Sequence, residues 1–295
     1  MPGEQLVYEL PSSQIGIAAP IFKDAWADEA YIDSFFEGKQ EGRIFVDDPH
    51  NPSAALLART FEYYVAGDTG ASALRQFIKE APSEPGIFQH LYGYVPIGQE
   101  WERALLDDYA GTLHVIGRRG FKYNSDQPPF NWRQSLPPGS EVVPIDRPLA
   151  ERIDSEMRQF IASFWGGYDN YAQGGFGFCM LINGEIASIC YAITVSSRQA
   201  NIDVETAEPY RKRGLAAITC AAFIEHCLNL GLQPTWDTDA VNAGSLALVR
   251  KLGFTEYEPF SQLSPPWGHK IALSTGLWLK EEVAPSEPTT WRRTT

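Results

Sequence analysis

The sequence predicts a mixed fold of α-helices and β-strands. Strand-like and helix-like hydrophobic patterns alternate along the first half, and the second half contains a hairpin signal followed by a strand that leads into a helix. Hydrophobic residues make up 44% and aromatic residues 13% of the 295 positions. This composition can build a core, and it excludes a disordered or fibrous chain.

The chain is acidic, and its acidity is unevenly distributed. It contains 24 Lys and Arg residues against 37 Asp and Glu residues, a formal net charge of −13. Residues 1–150 contribute −9 of this charge, and residues 151–295 contribute −4. Such a chain has no general surplus of cations, which argues against nucleic acid or an anionic membrane as a partner and favours a small or cationic one.

The sequence favours a cytoplasmic protein that uses neither a metal nor a disulfide. The amino terminus lacks a basic segment, and no apolar run approaches the ~18 residues of a membrane span. The four cysteines form no CxxC pair and lie in apolar patterns, where a free thiol behaves as a small hydrophobe. A shared metal site is also disfavoured because the histidines of the first half lie far apart, at His50, His90 and His114.

Four elements are predicted in the first half. Residues Ala25–Phe36 and Ala71–Glu80 have the apolar spacing of helices. Residues Arg43–Asp47 and Phe61–Ala66 are typical of strands, and a Gly-Asp turn follows the second one. No internal repeat is apparent, and no catalytic signature is found in this half.

The chain is expected to form two domains, because single cores tend to stop growing near ~250 residues. Proline-rich segments at residues 128–131 and 136–140 continue neither a helix nor a central strand, so the join is placed near residue 140. We therefore predict a smaller mixed α/β amino-terminal domain at 1–139, a second domain at 140–282 and a flexible tail at 283–295.

The second half opens with three predicted strands. Phe176–Met180 and Ile186–Ile193 are separated by Asn183-Gly184, a dipeptide that suits the tight turn of a hairpin. The third strand is Asn201–Thr206, in which Ile202, Val204 and Thr206 face one way while Asp203 and Glu205 face the other.

The third strand runs into a glycine-containing loop and a helix. The apolar stripe of this helix recurs at spacings of three and four, at Ala216, Cys220, Phe223, Cys227 and Leu230. Gly214 and Ala216 stand where a larger side chain would block close approach. Gly231 ends the helix, and a strand at Thr235–Thr238 and a helix from Asn242 to Lys251 follow.

Three consecutive cations, Arg211, Lys212 and Arg213, stand where this helix begins. The helix dipole is already positive there, so extra cations cost about 0.3–1 kcal/mol unless an anion is bound. The free amides of the first turn, the dipole and the cations suit a phosphate or pyrophosphate. The alternative is a solvated charge cluster on a surface turn.

The segment Arg211-x-x-Gly214-x-Ala216, placed between a strand and a helix, resembles the acyl-CoA signature of the GNAT N-acetyltransferase superfamily. The resemblance covers about Ser140 to Phe260, and its sequence motifs are similar to those of the branch of zwittermicin-resistance-type acetyltransferases. They comprise Phe164-Trp-Gly, Gly175-Phe-Gly-Phe-Cys179, Val204-Glu-Thr206, Pro234-Thr-Trp236, Asn242-x-x-Ser245 and Lys251-Leu-Gly-Phe254, together with Pro96-Ile-Gly-Gln-Glu-Trp101 in the first half.

The resemblance implies a GNAT fold, with a central mixed and mostly antiparallel sheet flanked by helices. It also implies that acetyl-CoA is the co-substrate, with no metal. The residues that would bind it are Val204 and Thr206 along the pantetheine arm, Arg211, Lys212, Arg213, Gly214, Leu215 and Ala216 at the pyrophosphate, and Asn242 and Ser245 at the next helix. For Asn242, a plain helix cap is an equal alternative.

Glu205 is the preferred general base, because it lies between the two expected pantetheine contacts. Asp203 is the other nearby carboxylate, and a salt-bridged or solvated edge residue is the alternative role for Glu205. Many GNAT enzymes place a tyrosine acid toward the thiolate where this chain has Val249. Tyr191 and Tyr210 do not match that motif, and His226 lies too far along its helix. Trp236, Asp237 and Asp239 either shape the acceptor site or are packed and solvated loop residues.

The leading interpretation is an acetyl-CoA-dependent N-acetyltransferase that acts on a small-molecule primary amine, such as an antibiotic or a metabolite. Direct attack by the amine would take place in a ternary complex. A CoA-binding sensor without turnover is the second interpretation, and transfer of another acyl group to an amine or hydroxyl is the third. The acidic first half suggests a cationic acceptor, with a merely solubilising surface as its alternative.

Overall fold

The computed structural model describes residues 6–23, 25, 29–81, 93–126, 130–257, 259–265, 278–280 and 284–293. His90, Pro128, Pro129 and the predicted domain end at residue 282 lie outside this part of the chain. The described strands are β1 (Leu6–Glu9), β2 (Arg43–Val46), β3 (Ala54–Ala58), β4 (Glu62–Gly67), β5 (Gly93–Pro96), β6 (His114–Tyr123), β7 (Ser140–Pro144), β8 (Gly177–Ile182), β9 (Glu185–Val195), β10 (Gln199–Thr206), β11 (Gln233–Asp239), β12 (Phe254–Glu256), β13 (Phe260–Ser264), β14 (Trp278–Lys280) and β15 (Thr289–Arg293). The α-helices are α1 (Glu29–Phe36), α2 (Ser72–Glu80), α3 (Gln99–Asp108), α4 (Arg147–Met157), α5 (Ile161–Trp165), α6 (Tyr168–Gly174), α7 (Leu215–Asn229) and α8 (Ala243–Lys251).

The chain packs into two compact units that are interleaved in sequence. Unit 1 comprises residues 1–27, 42–117 and 260–295, and unit 2 comprises residues 28–41 and 118–259. The domains expected from the sequence are consecutive segments instead, and their boundary at residue 140 stays a prediction.

Unit 1 is built mostly on antiparallel strands and includes a parallel pair. Strands β1, β2, β3 and β4 pair antiparallel in that order, and β5 adds parallel to β4. Its core joins the inner faces of these strands to α2 and α3 through buried apolar side chains that include Phe45, Leu56, Phe77 and Trp101. The predicted helix 71–80 and strand 61–66 correspond to α2 and β4 within one residue at each end.

The segment expected to be a flexible tail contains an ordered strand. Strand β15 pairs antiparallel with β1, and Trp291 is buried there against Phe77, with 6.2 Å between the ring centroids. Arg293 also pairs with Glu80 at 2.9 Å. The expectation of a loose tail is corrected over residues 289–293. Their composition alone suggests flexibility, but contacts with residues far away in the sequence hold them in an ordered strand.

Unit 2 is a mixed, mostly antiparallel sheet with helices, as the sequence predicts. Strands β7, β8, β9 and β10 pair antiparallel in order, β11 pairs parallel with β10, and β6 pairs antiparallel with β11. Helix α7 packs against β8, β9, β10 and β11, while α1 and α5 contact β9. The fold class is therefore confirmed.

The predicted hairpin and helix of the second half are confirmed, except at the two ends of the helix stripe, where Ala216 is only half-buried and Leu230 is exposed. The turn between β8 and β9 has Asn183 at φ 52° and Gly184 at φ 84°, the left-handed pair that a two-residue hairpin turn needs. In α7, Cys220, Phe223 and Cys227 are fully buried. Leu230, however, is 55% exposed, because the helix ends at Asn229 and Leu230 caps it.

The two units share one order of elements. In unit 1, three antiparallel strands (β2, β3, β4) precede a helix (α2), a strand parallel to the third (β5) and a second helix (α3). In unit 2, β8, β9, β10, α7, β11 and α8 follow the same order and pairing. The described elements thus form a structural repeat that the amino-acid sequence does not reveal.

Candidate active site

Strands β10 and β11 lie side by side only at their beginnings. Their parallel pairing covers Gln199–Asn201 against Gln233–Thr235. At Asn201/Ile202 the register of β10 against β9 shifts, as at a β-bulge, and β10 continues to Thr206 paired with β9. Residues 202–206 therefore leave a strand edge that β11 does not cover.

The backbone amides on this edge belong to Val204 and Thr206. The Ala207 N–H donates to the Ala187 carbonyl of β9 at 3.0 Å, and the N–H groups of an antiparallel strand alternate between its two edges. The Val204 N–H instead donates to the Asp203 carboxylate at 2.8 Å, and the Thr206 N–H donates to that of Glu205 at 2.9 Å. Each of these two edge amides thus donates a hydrogen bond to the carboxylate of the residue before it.

The loop after β10 presents a run of free amides. Within the described residues, no group accepts a hydrogen bond from the five consecutive N–H groups of residues 212–216. Lys212 and Gly214 both adopt left-handed backbone conformations, with φ 62° and 79°. Such a loop at the positive end of a 15-residue helix is a typical anion-binding concavity.

The three predicted cations surround this loop and are exposed to solvent. Arg211 donates from Nε to the Thr206 carbonyl and from its terminal nitrogen to Glu205, both at 3.0 Å. The Arg213 guanidinium lies 5.4 Å from the centre of the Tyr210 ring. Lys212 makes no ion pair with any residue of the described chain. Lys212 and Arg213 therefore place positive charge beside the free amides without an ion pair to any carboxylate of the described chain.

Gly214 is needed for its backbone conformation. A Cβ built on it would meet no atom of the described chain within 4 Å, whereas its φ of 79° disfavours any L side chain. The left-handed backbone by itself accounts for glycine here, and the expectation that a larger side chain would block close approach stays a prediction. Leu215 is buried in the core beside Met180, Ala187 and Ile218, so it offers the site only its backbone. Ala216 is half-buried.

Asp203 and Glu205 occupy the face of β10 opposite α7. Thr206 marks the α7 face, because its hydroxyl lies 3.0 Å from that of Ser188, which lies 3.2 Å from Thr219 on α7. The Tyr191 hydroxyl donates to Asp203 at 3.0 Å, and burial raises the pKa of both groups. Glu205 is more exposed and pairs with Arg211 at 3.0 Å. The ion pair is the alternative role that the sequence leaves open for Glu205.

The residues predicted at the next strand and helix make structural contacts. The Asn242 side chain accepts from the Ser245 N–H at 3.1 Å and so caps α8. The Ser245 hydroxyl accepts from Nε1 of Trp236, which is 2% exposed, at 3.0 Å. The cap is thereby confirmed, and contact of Asn242 and Ser245 with a cofactor stays a prediction.

Asp237 and Asp239 both pair with Arg118 of β6. Asp237 also accepts from Nδ2 of Asn201 at 3.4 Å, and the Oδ1 atom of Asn201 is buried with no partner within the described chain. Arg118 and Asn201 could not be expected at this place from the sequence, because neither belongs to a recognisable motif. Only the antiparallel pairing of β6 with β11 brings Arg118 to this place.

Val249, at the position of the usual tyrosine acid, and His226 are both packed against other side chains. Val249 is fully buried in α8, which explains a small apolar residue at that position. His226 contacts the rings of Phe176 and Phe178, with centroids at 4.8 and 5.6 Å.

A separate cavity of about 520 Å³ lies beside the carboxyl-terminal half of α7. The charged groups of its wall are already paired, because Glu225 accepts from Trp132 Nε1 at 2.8 Å and from both terminal nitrogens of Arg133. Across the described part of the chain, no three His, Cys, Asp or Glu side chains are grouped to hold a metal ion. No described helix is long and apolar enough to cross a membrane.

Comparison with known proteins finds one family over most of the chain. The family model described as GNAT acetyltransferase matches residues 19–263. An uncharacterised N-acetyltransferase of Bacillus subtilis strain 168, YdfB, is 26% identical over 256 residues, which cover 85% of this chain and 97% of the relative.

Solved structures are similar over a comparable length. A GCN5-related N-acetyltransferase-like protein from Streptococcus suis 89/1591 is 25% identical with a TM-score of 0.68, covering 86% of this chain and 98% of the other. A GCN5-related N-acetyltransferase from Sphaerobacter thermophilus is 16% identical with a TM-score of 0.56, covering 87% and 94%. A tandem GNAT protein from the clavulanic acid biosynthesis pathway is 11% identical with a TM-score of 0.52, covering 88% and 97%, and the last two share the fold alone.

Proposed function

The chain belongs to the GNAT acetyltransferase family, and on that premise we propose that it transfers the acetyl group of acetyl-CoA to a primary amine of a small molecule. The observation that carries the proposal is the run of free N–H groups at residues 212–216 beside three exposed cations. A pyrophosphate supplies the negative charge and the acceptor oxygens that this loop lacks.

The uncovered edge of β10 supports the same proposal. Pantetheine is an extended amide-containing arm, and an exposed strand edge binds such an arm by main-chain hydrogen bonds. Val204 and Thr206 would provide these bonds, and Arg211, Lys212, Arg213, Gly214, Leu215 and Ala216 would hold the pyrophosphate. When bound, acetyl-CoA would supply an activated thioester to the acceptor amine.

Acetyl transfer requires that the acceptor amine lose a proton. The attacking nitrogen must be a neutral amine; it forms a bond to the thioester carbonyl carbon, the C–S bond breaks to release the CoA thiolate, and one proton of the nitrogen passes to a protein carboxylate. We propose Glu205 as this base, because it lies on the uncovered strand edge and is partly exposed. Asp203 is the competing candidate, since burial raises its pKa and Tyr191 orients it. The thiolate leaves without an acid, which a thiol pKa near ~8.5 allows.

The acceptor is proposed to be a small cationic amine. Asp203, Glu205, Asp237 and Asp239 lie on β10 and β11 where the strands separate, while Arg118 and Arg211 provide the facing positive charges. Four carboxylates against two guanidinium groups favour a ligand that carries positive charge.

A CoA-binding sensor without turnover is the second candidate, and the observation in its favour is the buried Val249 where many relatives have an acidic tyrosine. The test is CoA release with acetyl-CoA and a panel of amines, including amino-containing antibiotics, each beside its hydroxyl analogue. Release with amines alone is the expected result. Tight CoA binding with no release across the panel would instead favour the sensor, and release with hydroxyls would favour a different acyl transfer.

A further inference from the structure

We propose that the Glu205 carboxylate of the free protein occupies hydrogen-bond donors that acetyl-CoA needs for binding. Binding of the cofactor then releases this carboxylate. The inference rests on the proposed function. It deepens that function by assigning Glu205 a role in the free protein.

A single carboxylate oxygen holds two groups of the expected cofactor site together. Glu205 Oε1 accepts from the Thr206 N–H at 2.9 Å and from the Arg211 guanidinium at 3.0 Å. Arg211 closes the ring by donating from Nε to the Thr206 carbonyl at 3.0 Å. Glu205, Thr206 and Arg211 thus form a closed hydrogen-bonded ring across the end of β10 and the start of the loop.

The groups in this ring are those that the strand edge and the cationic loop would offer to a ligand. The Thr206 N–H is one of two amides on the edge that β11 leaves uncovered, and Arg211 is the first of the three cations. A backbone amide has one proton to donate, so the Thr206 N–H serves either Glu205 or a bound ligand. The carboxylate also opposes a second anion by like-charge repulsion.

The ring is weak enough for a ligand to open. The side chains of Arg211 and Glu205 are 57% and 38% exposed. Exposed ion pairs of this kind shift an equilibrium by about twofold to fivefold. A ligand that offers a carbonyl to Thr206 and phosphate oxygens to Arg211 replaces both bonds. The displaced Glu205 carboxylate then has neither of its present partners and is free to accept a proton.

Competition predicts that removing the charge of Glu205 strengthens cofactor binding. The experiment is calorimetric titration of the full chain with coenzyme A for wild type, Glu205→Gln and Glu208→Gln. Glu208 is a matched control because it lies three residues away, is exposed and makes no contact with the Thr206 N–H or the Arg211 side chain. Glu205→Gln is expected to lower the Kd about twofold to fivefold, and Glu208→Gln is expected to change it less.

A double-mutant cycle separates competition from a general charge effect. Arg211→Gln should weaken CoA binding in both backgrounds, and by a larger factor in Glu205→Gln, where the arginine no longer has to leave a carboxylate. Equal factors in the two backgrounds, or an unchanged or weaker CoA affinity of Glu205→Gln, would overturn the inference while the proposed function stands. A wild-type chain that does not bind CoA would remove the proposed function itself.

Discussion

Asp203 and Glu205 lie on the same face of β10, yet the structure gives them different surroundings. The Asp203 carboxylate accepts hydrogen bonds from the Tyr191 hydroxyl and the Val204 N–H. Glu205 lies nearer to solvent and pairs with Arg211. The alternation of side chains along a strand predicts that the two carboxylates share a face. The alternation cannot separate the roles of the two carboxylates. Their different burial and hydrogen-bond partners depend on residues of β9 and of the loop after β10.

The buried carboxyl group of Asp203 should make stability depend on pH. Burial raises its pKa in the folded chain above that in the unfolded chain, so its stabilising contribution is complete below the unfolded value near ~3.9 and is lost as pH rises through the folded value. Asp203→Asn cannot ionise. The gain in Tm of this variant over wild type should therefore grow between pH 4 and pH 7. A difference in Tm that stays constant over this range would contradict the assignment.

The first turn of α8 is stabilised by a side-chain cap. Because the Asn242 side chain accepts the Ser245 N–H, Asn242→Ala should lower the free energy of unfolding by about 1 kcal/mol. Asn242→Asp keeps an acceptor and should stay within a few tenths of a kcal/mol of wild type. Denaturant unfolding of the two variants measures this difference. Equal losses for alanine and aspartate would show that the cap bond contributes nothing.

Elements that depend on local sequence are those that the sequence predicts well. The Asn183-Gly184 turn, the start of α7 at Gly214 and the cap at Asn242 are encoded by residues next to one another. The separation of β10 from β11 is different, because it depends on pairing between Gln199 and Gln233 and on a bulge against β9. No short motif records such pairings, so the uncovered edge could be expected only from the family resemblance.

The corresponding elements of unit 1 lack the features of the site. Strand β5 stays paired with β4 as far as Val65 and Pro96, and the Ile97 N–H adds a bond to the Val65 carbonyl at 2.8 Å. In the loop before α2, the Asp68 carboxylate accepts from the Gly70 N–H at 2.8 Å, and the Asp68 main-chain carbonyl accepts from the Ala71 N–H at 3.3 Å. This loop offers an acidic side chain where the loop before α7 offers three cations.

For the molecule as a whole, this contrast predicts one cofactor site per chain despite the repeated order of elements. Calorimetry with coenzyme A should give a stoichiometry of one. A value of two would show that the elements of unit 1 bind the cofactor as well, and it would contradict the argument from its closed strand pair and acidic loop.

The repeat escapes sequence analysis because its two copies keep the topology without keeping the residues. Phe61–Ala66 and Asn201–Thr206 are both predicted as strands, yet the first is almost wholly buried while the second carries carboxylates on one face. Charge shows the same divergence, since residues 1–150 carry −9 of the net −13 and include no cofactor motif. Topology and charge together point to residues 201–216 as the part of the chain where function is concentrated.

We assign the loop at residues 211–216 to the phosphates of acetyl-CoA, and two glycines at opposite ends of α7 allow a direct test. Gly214 and Gly231 have φ values of 79° and 71°, and a Cβ on either would meet no atom of the described chain within 4 Å. Valine at either position should therefore cost about 1–2 kcal/mol of stability through backbone strain alone.

The deciding measurement is calorimetric titration of Gly214→Val and Gly231→Val with coenzyme A, under conditions where both variants are folded. Gly231→Val should bind one CoA with the affinity of wild type. Gly214→Val should lose binding, because the strained loop no longer presents its amides to a phosphate. Wild-type affinity in Gly214→Val, or an equal loss in both variants, would contradict the assignment of the cofactor site.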